Sequence, residues 1–257
     1  MSSQVVVITG ASEGIGAAIA RRLGSDGFSV VLAARREQML REVAAQSGTN
    51  TLVVPTDVTK RDQVERLRDR AISKFGSVDI WINNAGRGIT RPVLELSDED
   101  FDAIMAVNVK SALYGMQAIV PHFIERESGH LINISSFLGR VPVATHRSAY
   151  NAAKAALNAL TANLRVDLRT RYPGIHVSLV MPGLVSTKFA EHVIGAGGAR
   201  PWTPSGQMVA QTPDEVANVV AQVIARPVAE VYTIPGTAAV AQKYYADVAA
   251  FEAGNPR

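Results

Sequence analysis

Cysteine is absent from all 257 residues, which removes disulfides, thiolate catalysis and thiolate metal sites in one step. The five histidines, at positions 122, 130, 146, 176 and 192, form no HxxxH or HxH pair, so no metal site is expected. Charge of one sign is also scarce. The net charge is +3, and the basic residues are dispersed apart from pairs such as Arg21-Arg22 and Arg35-Arg36. Without a long basic run or interleaved aromatics, a nucleic-acid surface is not supported. No apolar stretch approaches the roughly 18 to 20 residues that span a bilayer. A strand-like run starting at Val5 is expected to leave no room for a signal peptide. No internal repeat, low-complexity linker or charge break divides the chain. The expectation is a soluble, cytoplasmic protein whose residues 1–257 form a single domain.

What is present is 47% hydrophobic residues, enough for a sizeable core. They alternate between short β-branched runs and longer helical stretches. Strands are expected at Val5–Ile8, Ser29–Leu32, Leu52–Val54, Val78–Ile82, Leu131–Ile134, Ile175–Val180 and Val231–Ile234. Helices are expected at Ile15–Leu23, Glu37–Ala45, Asp62–Phe75, Ala149–Arg169 and Asp214–Ala225. A further long helix is expected to run from a Ser97 cap toward Arg126, kinked at Pro121. Near-continuous apolar strands separated by helices imply a parallel sheet covered on both faces. The fold class is therefore α/β: a doubly wound Rossmann fold with a mostly or wholly parallel seven-stranded sheet. The one long irregular stretch, 187–211, reads as a substrate-binding loop or lid.

Three motifs carry chemistry. The first is Thr9-Gly10-Ala11-Ser12-Glu13-Gly14-Ile15-Gly16, directly after the first strand and opening the first helix. Gly10 permits a tight turn, Gly14 lets backbone approach a pyrophosphate, and Gly16 allows close helix–strand packing. The helix N-terminus then offers free N–H groups and a positive dipole end to the anion. A tight βα turn without a ligand would use the same glycines. The second motif is a missing acid. Counting about 20 residues on from Gly14 gives Ala34, Arg35 and Arg36, where NAD-selective Rossmann folds place a carboxylate on the ribose hydroxyls. Arg35 could instead hold a 2′-phosphate, which favours NADP(H) over NAD(H). The third is Tyr150-xxx-Lys154, spaced to share one helix face. A cation near the phenol would lower its pKa from about 10 toward working pH, making a proton-transfer unit.

These motifs, with others in register, resemble the short-chain dehydrogenase/reductase family over roughly Gln4 to Ile234. The additional matches are Asp57-Val58, Asn83-Asn84-Ala85-Gly86, Asn108, Ser135-Ser136 and Pro182-Gly183-x-Val185-x-Thr187. The resemblance implies an NADP-dependent interconversion of a small-molecule ketone or aldehyde with an alcohol, as a carbonyl reductase. The rivals are an NAD-linked alcohol dehydrogenase and a non-catalytic nucleotide-binding protein. The implied cofactor residues are Gly10, Ser12, Gly14, Ile15, Gly16, Arg35, Asp57, Val58, Asn84, Ala85, Gly86, Tyr150, Lys154, Val185 and Thr187. Tyr150 would be the acid or base, Lys154 would depress its pKa, and Ser136 would donate to the substrate oxygen. Asn108 would anchor a water linking Lys154 to solvent. The resemblance also implies a homodimer or homotetramer.

Three departures qualify the carry-over. Ser136 and Tyr150 are fourteen apart, one more than the commonest spacing, and Glu13 stands where NADP-preferring relatives often carry a base. The tail after Ile234 lacks the Asp-Gly-Gly strand end of many tetrameric relatives. The substrate side is expected from Ser136, Phe137, Leu138, Val141, Tyr150, Leu184 and Phe189, with Trp202 to Met208 as lid. Arg87, Arg140, His146 and Arg147 are candidates for an acidic substituent, with solvated loop charges as the alternative.

Overall fold

The computed structural model describes residues 3–189, 193–195 and 210–254. Seven strands form one sheet in the order β3-β2-β1-β4-β5-β6-β7, with every adjacent pair parallel. They are β1 Val5–Thr9, β2 Ser29–Ala34, β3 Thr51–Pro55, β4 Ile80–Asn83, β5 Gly129–Ile134, β6 Ile175–Met181 and β7 Glu230–Tyr232. The connecting helices are α1 Gly14–Ser25, α2 Glu37–Ala44, α3 Arg61–Phe75, α4 Asp98–Met105, α5 Ser111–Glu125, α6 Ser148–Arg169 and α7 Pro213–Ala225. Two short C-terminal helices follow, α8 Thr237–Ala246 and α9 Val248–Ala253.

Strand alternation sorts the core into two layers. On β1, Val5 and Val7 pack with α3, α5 and α6 through Leu67, Met116 and Leu157. Val6 and Ile8 face the other side and meet α1, α2 and α7 through Ile19, Leu40 and Val220. Both faces are thus buried, which explains the unbroken β-branched runs of the central strands. The order reverses between β1 and β4, so their C-terminal ends open a crevice where such sheets place ligands.

The expected long helix is real but not regular. Ser97 caps it, its side chain accepting from the Asp100 N–H, and Asp98, Glu99 and Asp100 fill the first turn. Between α4 and α5 the helix widens into a π-turn at Ala106–Lys110. Pro121 is carried inside α5. Taken as one 28-residue run, Asp98–Glu125 is long and apolar enough to cross a membrane by composition, which corrects the expectation that no such stretch exists. More than half of its most apolar stretch is buried, and it lies against α3 and β4 as a core helix.

At the opposite end of the sheet from the crevice, His130 on β5 is buried, its Nε2 2.8 Å from Ser178 Oγ on β6. The Ser178 hydroxyl donates to Val228 O, so it accepts from His130, leaving the ring neutral with its proton on Nε2. Burial, and then the charge of neighbouring His176, lower its pKa to about 4. A depressed histidine contributes stability above its unfolded pKa of about 6.5 that is lost as pH falls toward 4. His130→Gln is therefore expected to remove up to about 3 kcal/mol of acid sensitivity between these limits. Urea midpoints measured across pH 7 to 4 check this; an unchanged slope would place the acid sensitivity elsewhere.

Candidate functional site

The glycine turn is shaped as its spacing requires. Gly10 and Gly14 have φ of +67° and +57°, a region that side-chain-bearing residues rarely adopt. A Cβ at Gly16 would lie 2.3 Å from Gly10 O and 2.5 Å from Asn84 Nδ2, so only glycine lets α1 press against the end of β1. Asn84 stitches the crevice together: its Nδ2 donates to Thr9 O at 2.9 Å and Gly10 O at 3.2 Å. The Asn84 and Ala85 N–H groups both donate to Thr9 Oγ1. The first turn of α1 carries no acidic residue and no side-chain cap, leaving its N–H groups toward the crevice. Ser12 is buried in this turn and Ile15 packs against the core under α1. Thr187, after β6, brings its methyl to 3.4 Å from a Cβ placed on Gly14, so the two loops flank one cleft. Val185 reaches this loop through a bridge to Gln211.

At the adenine end, Arg35 and Arg36 are exposed beyond β2. Arg36 pairs with Glu13 at 2.6 Å and donates to Ser12 Oγ at 3.2 Å. Arg36 therefore attaches to the glycine turn, whereas the charge of Arg35 acts on Asp57. Asp57 Oδ1 accepts from the Thr59 N–H and hydroxyl at 3.0 and 2.7 Å, beside buried Val58. Burial raises the Asp57 pKa, but the Thr59 bonds, Arg35 and Lys60 outweigh it and hold the carboxyl below its ordinary value. The residue thus caps its turn, as any Asp there could.

The catalytic candidates converge. Tyr150 and Lys154 lie on the first turns of α6, and Ser136 opens the turn after β5. The Ser136 hydroxyl accepts from the Leu138 N–H at 3.2 Å and lies near enough to the Tyr150 phenol to lower its pKa. Ser135 is otherwise engaged: it is buried and donates to Asn158 Oδ1 at 2.6 Å, so Ser136 is the serine that meets the tyrosine. A Cβ on Gly86 would lie 2.8 Å from Asn108 Oδ1 and 3.7 Å from Lys154 Nζ. The cradle therefore runs from Gly10 past Ala85 and Gly86 to Lys154, and the residues fit an extended dinucleotide.

Lys154 is buried beside the Tyr150 ring. Its Nζ donates to Ile134 O at 2.9 Å, lies 5.6 Å from the Tyr150 ring centroid, and burial lowers its pKa to about 8. Tyr150 keeps some solvent contact, yet its packed surroundings push the phenol up to about 12. The Ser136 hydroxyl and the charge of Arg147 oppose that rise. Arg147 is thus a second cation beside the phenol, in addition to the Lys154 ammonium over its ring. Asn108 sits in the π-turn, its amide donating to Arg87 O at 2.9 Å and Ile104 O at 3.0 Å, so it pins the Asn84–Arg87 loop to the helix. π-Turns inside helices frequently mark functional positions. Nothing in the sequence signalled it beyond Asn108 itself.

The substrate side divides. Phe189 stands edge-on to Tyr150, ring centroids 5.7 Å apart, and Leu184 is exposed on the same loop. Phe137 packs on Tyr232. Val141 is fully buried core rather than wall, and Leu138 lines a separate cleft with Tyr244 and Tyr245; both expectations are corrected. Trp202 and the Trp202–Met208 lid lie outside the described residues. Among the arginines, Arg140 is committed to Glu230 at 2.6 Å, whereas Arg147 reaches the mouth. Among the described residues no cluster of His, Cys, Asp and Glu could hold a metal.

Comparison with known proteins agrees with this geometry. The family model described as short chain dehydrogenase matches residues 4–195. An uncharacterized oxidoreductase of Staphylococcus epidermidis is 38% identical over 191 residues, covering 74% of this chain and 82% of that protein. A short-chain dehydrogenase/reductase from Burkholderia phymatum, solved with NAD, superposes with a TM-score of 0.86 at 28% identity, covering 100% of this chain and 97% of its own. A serine dehydrogenase in its closed form with NADP+ gives a TM-score of 0.82 at 30% identity, covering 91% and 96%. With its glycine turn, Ser136–Tyr150 pair and parallel sheet in family order, this chain belongs to the short-chain dehydrogenases, an oxidoreductase family.

Proposed function

We propose that the protein is an NADP(H)-dependent carbonyl reductase in which Tyr150 is the general acid. The observation that carries this reading is the approach of the Ser136 and Tyr150 hydroxyls beside the Gly86–Lys154 end of the cradle. A dihydronicotinamide held along that cradle supplies the hydride. Tyr150 gives its proton to the carbonyl oxygen as the carbon is reduced, so the balance is C=O plus hydride plus proton to CH–OH. Ser136 donates to the same oxygen and stabilises its developing charge. Burial raises the phenol and keeps it protonated, the form that the acid role in reduction requires. Lys154 holds the ribose hydroxyls and, with Asn108 behind it, returns a proton to Tyr150.

The cofactor preference rests on Arg35 and the absence of an acid from Val30 to Arg36. Asp57 and Val58 take the adenine, and Val185 and Thr187 the carboxamide. The Glu13–Arg36 pair favours a second reading, an NAD-linked alcohol dehydrogenase, because it lowers the net positive charge beside the glycine turn. Fluorescence titration with NADPH and NADH, alongside a carbonyl panel followed at the NADPH absorbance, separates the two. Arg35→Asp is expected to shift preference toward NADH by about 1–3 kcal/mol, the worth of a charged hydrogen bond. Tighter NADH binding by the wild type would remove the NADP reading. Tight cofactor binding with no turnover of any carbonyl or alcohol would favour a nucleotide-binding protein instead. The same reading makes residues 1–257 one domain, with 187–211 as substrate loop, acting in the cytoplasm as a homodimer or homotetramer. Exposed Val93, Leu94 and Phe101 offer apolar surface for a second copy.

A further inference from the structure

We infer that Arg147 is an anion subsite and that the substrate is an oxo acid, its carboxylate a few bonds from the carbonyl that Tyr150 protonates. The inference rests on the carbonyl-reductase reading and names the substrate class for that site.

Arg147 immediately precedes α6, three residues before Tyr150, and its charge acts on the Tyr150 phenol. Three chain segments bring it to the mouth. The Arg91 N–H donates to His146 O at 2.8 Å, the Thr90 N–H donates to Ile194 O at 2.9 Å, and Arg147 Nη1 donates to Ile89 O at 3.3 Å. A Cβ on Gly88 would lie 2.8 Å from Phe189 Cε1 and 2.9 Å from both Arg147 Nη1 and Val193 Cγ1. Guanidinium, aromatic ring and valine therefore meet at one point, and the same Phe189 ring abuts Tyr150.

This charge has no carboxylate partner among the described residues. Arg91 has Asp100 at 2.6 Å, Arg140 has Glu230 and Arg36 has Glu13. Arg147 is half-buried against apolar side chains, and burial lowers its pKa. A cation at the start of a helix also opposes the macrodipole. A desolvated, uncompensated charge is costly, and a ligand that brings the counter-charge relieves that cost. Among the described residues the guanidinium donates only to Ile89 O, and a planar fork of this kind matches a carboxylate in bidentate fashion. A phosphate dianion would call for more positive charge than a single guanidinium. The neighbouring Tyr150 sets the scale: the anion and the reacting carbonyl must lie within one short molecule.

The test compares oxo acids, differing in the number of carbons between carboxylate and carbonyl, with their methyl esters. Wild type, Arg147→Met and Arg147→Lys are assayed, after matching thermal midpoints confirm folding. The wild type is expected to favour the best acid over its ester by about 10- to 100-fold in kcat/KM, as for a charged hydrogen bond. In Arg147→Met that ratio falls to about one, and Arg147→Lys restores part of it. The ratio cancels any effect of Arg147 on the Tyr150 phenol, which both substrates share. Equal acid and ester rates in the wild type, or a ratio unchanged by Arg147→Met, overturn the subsite while leaving carbonyl reduction standing. If no carbonyl compound is reduced, the underlying reading fails and calorimetry decides the subsite alone. Succinate must then bind the cofactor-loaded wild type and not Arg147→Met; equal binding, or none to either, rejects it.

Discussion

Replacing Tyr150 with phenylalanine is expected to lower kcat for carbonyl reduction by about 10²- to 10⁴-fold, the usual worth of a positioned acid. The ring contact with Phe189 survives the change, since only the hydroxyl is lost. NADPH affinity should therefore move by less than about threefold, under 1 kcal/mol. Steady-state rates together with a fluorescence titration separate the two effects. An unimpaired Phe variant would falsify the assignment of Tyr150 as acid. A large loss of NADPH binding would instead show that the phenol chiefly holds the cofactor. Because the Ser136 hydroxyl acts on the Tyr150 phenol, Ser136 should become less effective in the same variant, and the two losses should not add.

The second large effect is expected at Gly16. A methyl group there would sit 2.3 Å from Gly10 O and 2.5 Å from Asn84 Nδ2, distances that no rotamer change relieves on the backbone side. Gly16→Ala must push α1 off β1, at a cost of about 1–3 kcal/mol in stability by analogy with overpacked cores. The same movement draws the helix N-terminus away from the crevice. NADPH affinity should then weaken by about 10- to 100-fold, or 1.4–2.8 kcal/mol. Thermal unfolding and cofactor titration on one preparation read both. A variant with normal stability and affinity would mean that the turn has room the geometry does not show.

Why the architecture was legible while parts of the site were not follows from the physics of each. Val6, Ile8, Val30, Leu32 and Ile132 announce buried parallel strands because both faces of each strand are covered, leaving no room for polar alternation. The ends are less legible. Val78 and Asp79 read as strand, but β4 begins at Ile80, with the Asp79 carboxylate accepting from the Val5 N–H and pairing with Arg126. The π-turn at Ala106–Lys110 has no compositional mark, because one extra residue in a helical turn changes hydrogen bonding and not pattern. An apolar loop residue such as Val141 fits a substrate wall and a core equally well from sequence; the structure buries it. Arg147 was legible only as one of four basic loop residues. Its importance depends on where Arg91 and Arg140 find carboxylates, which is a property of the folded chain.

The bridge between Val185 and Gln211 has a wider consequence. The Ser186 N–H donates to Gln211 O at 2.8 Å, and the Gln211 N–H donates to Leu184 O at 2.9 Å. Gln211 is fixed in turn by Thr233. The chain thus departs from the scaffold and rejoins it at neighbouring points, and closing such an excursion grows costlier only with the logarithm of its length. Nature, or an engineer, can therefore keep Thr187, Phe189 and Ile194, rewrite the chain between Gly195 and Gln211, and graft there a foreign segment of quite different size. The reaction chemistry would stay put while the range of accepted molecules was exchanged wholesale.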